Sequence, residues 1–247
     1  QTQRVLKLAA CIGNQFDLET LALVNEHPPR ETARQLGVAI TDGLILPLSD
    51  ACKLVDLDIE GLTDTIRAEY TFTHDRIQQA AYSLIPLNER HTLHWRIGQL
   101  LLQQATSRVQ AKYGDQTPPD LSLLEDCIFA IVNQLNQGIA AVRGTNGYAA
   151  HGPSDDTPSA MLHQPSLEEV AELNLRAGRK ALASVAYEPA LNYLRVGVEL
   201  LEDYGWYACY DLTLTLATDY ARCCYLNGQI AESEQMFDLV VRKATSN

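Results

Sequence analysis

The sequence lacks every common phosphate-gripping signature. Nothing matches GxxxxGK(S/T) or GxGxxG, and no GxSxG nucleophile elbow is present. The chain is therefore not expected to carry a complete enzyme active site of its own. Positive charge is also scarce: 19 Lys and Arg stand against 31 Asp and Glu, for a net charge of −12. Phosphate backbones need clustered Lys and Arg, so no nucleic acid is an expected partner. The same deficit disfavours an anionic membrane surface. No apolar run approaches the roughly 18 residues of a membrane helix, and no signal peptide is visible. No membrane contact and a cytoplasmic location are the expectation. None of the six cysteines (Cys11, Cys52, Cys127, Cys209, Cys223, Cys224) forms a CxxC pair. Most fall in helical apolar stripes, which favours reduced core thiols over disulfides or metal.

What is present is a globular composition, 46% apolar and 20% charged over 247 residues, enough to bury a core. The sequence opens at Gln1 inside an amphipathic pattern and reads as a segment of a longer chain. Residues 2–13 read as a helix with Val5, Leu8, Ala9 and Ile12 on one face, stopped by Gly13-Asn14. Asp17 is placed to cap a second helix carrying Leu18, Leu21, Ala22 and Val24. Pro28-Pro29 breaks the chain, and a third helix with Ala33, Leu36, Ala39 and Ile40 ends at Gly43. The period then shortens. Leu44–Leu48 reads as a strand that Lys53-Leu54-Val55 pairs with, residues 56–68 as a loop, and Tyr70 and Phe72 as a further strand. Three short helices followed by a small β-hairpin is the order of a winged helix. The acidic balance argues against DNA and for packing within the protein.

Helices are expected to follow at 77–85, 88–105 and 121–142. Residues 143–165, rich in Gly, Ser, Asp and Pro, read as a flexible linker. Four more helices, at about 166–183, 187–202, 206–226 and 229–245, suggest antiparallel pairs of the tetratricopeptide (TPR) kind. Small residues (Ala177, Gly178, Ala190; Ala221, Gly228) mark close approaches, and Leu194 and Phe237 are expected in the facing holes. The division is 1–105 for the winged-helix-like lobe and the helix after it, 106–165 for a connecting helix and linker, and 166–247 for TPR-like repeats. The fold class is mainly α.

Few residues offer chemistry. His91 and His94 lie three apart on one helix, a weak metal pair without a third ligand of supporting spacing. Trp95 beside them suggests a partly buried interface. Thr73-His74-Asp75 stands out because a strand there hands over to a helix. Thr73 is placed to cap the helix and Asp75 to favour its positive end. His74, held at the junction, has two readings: a hydrogen-bond donor to a phosphate on a neighbouring domain, or a packing residue satisfied by backbone.

Five segments carry a family resemblance: Val5–Gly13, Gly43–Leu48, Phe72–Tyr82, Ile131–Asn136 and Leu173–Ala181. They resemble, in order, the middle of very large bacterial, especially cyanobacterial, signalling proteins. Those join a serine/threonine kinase domain, a STAND-type AAA-like ATPase, helical repeats, GAF or PAS sensors and often a histidine kinase. The resemblance implies a winged-helix lobe after the ATPase core and the start of the repeats. It implies an upstream P-loop ATPase domain in the same chain, downstream repeats and further protein partners. ATP or ADP with Mg would be bound by the parent protein, and no cofactor by this segment. Thr73-His74-Asp75 is similar to the Met-His-Asp element of switch ATPases, which implies that His74 is an ADP sensor supported by Asp75. Thr73 departs from the methionine. The implied function is a regulatory module coupling nucleotide state to partner contacts. The alternative is a plain TPR-like binding scaffold with no nucleotide role.

Overall fold

The computed structural model describes residues 1–48, 68–113, 124, 126–143 and 164–244. Among them the chain is mainly α, with ten helices and one three-stranded antiparallel sheet. The expected strand at 53–55 and residues 144–163 of the linker expected at 143–165 lie outside the described residues. No helix among the described residues is long and apolar enough to cross a membrane. The chain divides into two compact units: Gln1–Leu101 with Gln137–Ala150, and Leu102–Asn136 with His151–Asn247.

The first unit begins with α1 (Thr2–Ile12), whose 3.6-residue stripe buries Val5, Leu8 and Ala9. Strand β1 (Gln15–Asp17) follows directly. Asp17 ends it and caps α2 (Leu18–Asn25), its carboxylate accepting from the Thr20 amide at 2.8 Å. Pro29 opens α3 (Pro29–Thr41), where its missing N–H costs nothing. Gly43, at φ +69°, turns the chain out of α3 into β2 (Ile45–Pro47), a conformation glycine adopts without penalty. Strand β3 (Glu69–Phe72) lies between β1 and β2, antiparallel to both, with Phe16 opposite Tyr70 and Ile45 opposite Phe72. Phe16 also packs its ring against Tyr70 and Phe72, at centroid separations of 5.9 and 5.8 Å. The described elements thus run helix, strand, two helices and two strands, with one departure from the expected order. The small sheet has three strands, because Gln15–Asp17 adds an edge too short to show a period of two in the sequence.

Helix α4 (Asp75–Ser83) leaves β3 and packs on α1, and Gln78 donates to the Ala10 carbonyl at 3.1 Å. Helix α5 (Leu87–Tyr113) starts in this unit and is longer than its expected 88–105 span. Ile97 on α5 joins the core formed by Val5, Leu21, Leu36 and Ile45. The last part of α6 (Ile128–Arg143) also belongs here. Its Gly138 lies so close to α5 that a Cβ there would collide with the Trp95 backbone.

The second unit holds α6 up to Asn136, then α7 (Leu167–Ala183), α8 (Tyr187–Ala208), α9 (Tyr210–Leu226) and α10 (Ile230–Ala244). Ser166 and Glu169 close a reciprocal capping box at the start of α7. Gly178 of α7 receives Leu194 of α8, and a Cβ there would stand 2.6 Å from Leu194 Cγ. Gly197 of α8 receives Leu216 of α9 in the same way, at 2.7 Å. Ala190 follows Gly178, and Ser233 follows Ala221, by the same twelve positions (190 − 178 and 233 − 221); both are buried. The Ser233 hydroxyl donates to the Ala221 carbonyl at 2.8 Å. Asn136 and Asn174 exchange amide hydrogen bonds at 2.8 and 2.9 Å, and Tyr193 donates to Asn133 at 2.8 Å, so α6 is fastened to α7 and α8.

Two expectations are corrected. Phe237 is exposed rather than set in a hole, because Ser233 is the residue of α10 that faces α9. Gly228 makes no close approach; at φ +79° it forms the turn between α9 and α10. The long spacing of the repeat also has a cause. Helix α8 breaks at Glu202 (φ 44°, ψ −146°) and then runs an additional turn before α9.

Two substitutions test this packing. Gly178→Ala gains about 1 kcal/mol of helix propensity but overpacks Leu194 by about 1–3 kcal/mol, so a net loss is expected. In denaturant titrations Leu194→Ala should cost less in the Gly178→Ala background than alone; additive losses would show that the two side chains do not collide. Val185, exposed at φ +60° between α7 and α8, strains a β-branched residue in the left-handed region. Val185→Gly should raise stability by about 1 kcal/mol, and a lower unfolding midpoint would contradict the assignment.

Candidate functional site

The end of β3 is tied to the α3–β2 turn by two bonds. The Thr73 amide donates to the Leu44 carbonyl at 3.1 Å, and the Thr73 hydroxyl donates to the Gly43 carbonyl at 2.6 Å. Thr73 therefore does not cap α4, as its sequence position suggested. It stands one residue too early, and its hydroxyl is committed across the turn. His74 occupies the N-cap position in extended conformation (φ −146°, ψ 144°) and makes no side-chain cap bond. Its carbonyl accepts from Ile77 and Gln78, at 2.9 and 3.3 Å, which starts the helix. Asp75 is the first residue of α4, where a carboxylate favours the positive end of the helix.

The side chains of His74 and Asp75 are both exposed. The imidazole makes no hydrogen bond to another described residue. The junction thus presents an imidazole and a carboxylate to solvent from a backbone fixed on both sides: β3 and the turn before it, the first turn of α4 after it. An imidazole so placed can donate to an anionic oxygen brought by another surface.

His91 and His94 diverge rather than converge. His91 Nδ1 lies 2.8 Å from the Gln137 carbonyl, which can only accept, so the proton is on Nδ1. His94 is buried and its Nε2 lies 2.9 Å from the Tyr82 hydroxyl. The Arg90 guanidinium stacks over the Tyr82 ring at 4.6 Å and donates to the Ile85 carbonyl at 3.1 Å. Both histidines are thereby absorbed into helix contacts. No group of three His, Cys, Asp or Glu able to hold a metal occurs among the described residues. Trp95 is buried in the core rather than partly exposed at an interface.

The described cysteines are free thiols. Burial pushes Cys11 up to about 12 and Cys223 up to about 11, and it raises Cys127 and Cys224 as well. These are protonated core groups without thiolate reactivity. A cavity of about 170 Å³ in the first unit is lined mainly by Leu8, Val24, Leu93, Ile97 and Leu100, with the Arg96–Glu26 ion pair and Arg4 at its polar side.

No protein-family model and no solved structure matches the chain. Among curated proteins, the chain is 25% identical over 274 residues to the hybrid signal transduction histidine kinase G of Dictyostelium discoideum. The alignment takes in 99% of this chain and 7% of that protein, so the chain spans a small part of its relative's length.

The buried thiols give a pH dependence. Cys11 is raised in the folded state above its ordinary value of 9. The folded protein then holds a proton that the unfolded chain releases, so stability falls as pH rises from about 9 to about 12. Cys11→Ala should flatten this alkaline loss while leaving the profile below pH 8 unchanged in slope. An identical alkaline slope in urea titrations would contradict the assignment.

Proposed function

We propose that this chain is a regulatory and interaction module of a multi-domain signal-transduction protein. The similarity to a hybrid histidine kinase supports the signalling role, and the small share of that relative supports a part within a much longer chain. In the finer reading, the first unit is a winged-helix lobe beside an upstream P-loop ATPase domain of the same chain. The helices of the second unit begin a TPR-like array that continues downstream and contacts protein partners. The parent protein would bind ATP or ADP with Mg and carry serine/threonine or histidine kinase activity. His74 would sense ADP, with Asp75 shaping its approach and Thr73 fixing the backbone.

The observation that carries this reading is the exposed His74 on a braced backbone. A histidine kept for packing would be covered. A histidine kept for a ligand on another domain must reach solvent when its own lobe is viewed alone, and it must not swing. The bonds from Thr73 to Gly43 and Leu44 supply the second condition.

The second reading is a protein-binding scaffold with no nucleotide role. It is favoured by the stacking of α7 to α10, whose Gly–Leu contacts need no other domain. The two part on one substitution. In the full-length protein, His74→Ala should weaken ADP binding by roughly 5–150-fold, the equivalent of a hydrogen bond to a charged group at about 1–3 kcal/mol. ATP binding should change less, and basal signalling output should rise. Unchanged ADP affinity with unchanged basal output, read by equilibrium titration and kinase assay, would leave only the scaffold reading.

A further inference from the structure

The additional turn of α8 builds an arrangement that the repeat packing does not require. After the break at Glu202, residues 203–208 carry Asp203, Trp206 and Tyr207 toward the last turn of α10. There the Lys243 ammonium stands 5.5 Å from the centre of the Tyr207 ring and 6.0 Å from that of Trp206. The Asp203 carboxylate, itself 91% exposed, lies 3.7 Å from the ammonium. Trp206 is buried and braced edge-on by Tyr210 at 6.0 Å, whereas Tyr207 is 83% exposed. Two π faces and a carboxylate around one ammonium form a cation site.

Three features separate this site from an incidental surface contact. The break that creates it holds a non-glycine residue at φ 44° and ψ −146°, a backbone conformation that survives only where its surroundings impose it. Its aromatic wall is half rigid and half open: a buried ring fixes one side, and an exposed ring leaves an entrance. Finally, the structure itself shows what fits, because a lysine of the same chain is already there.

We propose that Asp203, Trp206 and Tyr207 form a recognition site for a lysine side chain of a partner peptide, and that Lys243 is its intramolecular occupant. The carboxylate selects the class of cation. It rewards an ammonium with N–H groups to donate, so the site favours unmodified lysine over a quaternary ammonium. The net charge of −12 attracts basic segments in general, and the cage supplies the local specificity. Because Lys243 is tethered, it competes at high effective concentration, and the site is masked until α10 yields its end or a partner outcompetes it.

The test uses the whole chain and the indole N–H resonance of Trp206. The sequence has two tryptophans, and a Trp95→Phe variant serves only to tell their signals apart. The ligands are a blocked, glycine-flanked lysine peptide and the same peptide with glutamine in place of lysine. In the Lys243→Gln protein the lysine peptide should move the Trp206 resonance saturably, and the glutamine peptide should not. Adding Tyr207→Ala to Lys243→Gln should abolish the shift. The parent chain should bind at least tenfold more weakly than Lys243→Gln. Lys243 lies in the last turn of α10, and unchanged circular dichroism establishes that its replacement leaves the fold intact. No shift with the lysine peptide, an equal shift with the glutamine peptide, or equal binding by the parent chain would overturn the proposal.

Discussion

A leucine can enter the space of a neighbouring helix only where that helix has no Cβ. The second unit is organised around this constraint. Gly178 admits Leu194, and Gly197 admits Leu216, so α7 approaches α8, and α8 approaches α9, through one glycine and one leucine. Both leucines are fully buried, and each burial contributes on the order of 2–3 kcal/mol. A larger residue at either glycine would meet the leucine opposite and push the helix axes apart.

In the first unit the comparable role falls to backbone bonds rather than side-chain volume. Thr73 links the last residues of β3 to the turn after α3, and that turn exists because Gly43 takes a positive φ. The chain then starts α4 at once, with Asp75 in its first turn. A sheet, a turn and a helix thus converge on three consecutive residues, leaving the middle one as the projecting group. Displacing an exposed imidazole mounted in this way would require breaking the strand end or unwinding the helix start. The surrounding core of Phe16, Tyr70 and Phe72 makes the strand end costly to break.

Much of this was legible from periodicity. The stripes of α1 and α2 name most of their buried residues, that of α3 names Leu36 and Ala39, and Asp17 and Gly43 act where turn and cap chemistry place them. What was hidden has physical reasons. Strand β1 is three residues long, shorter than its period can reveal. The break at Glu202 has no glycine or proline at that position to announce it. Gly197 lies in an otherwise ordinary helix, and its purpose is visible only with Leu216 opposite. The exchange of hydrogen bonds at Thr73 could not be read either, since a threonine before a helix resembles a cap whether its hydroxyl points forward or across. His74 was singled out by its position at the strand–helix junction, but its exposure depends on how β3 and α4 leave the core.

The paired amides of Asn136 and Asn174 have a consequence for how such helices choose neighbours. Each amide gives one hydrogen and takes one, and Asn174 gives its other hydrogen to the Val170 carbonyl at 2.9 Å. This reciprocal exchange closes at a single axial offset of α6 along α7. Sliding by one helical turn, or substituting a different helix that brings an aliphatic residue to the same height, strands the buried amide of Asn174 at about 1–3 kcal/mol. Leucines forgive such exchanges, since one apolar surface serves nearly as well as another. In an assembly made of similar amphipathic helices, the amide pair acts as an address: it lets α6 recognise its own place and refuse the many others that oily contact alone would permit.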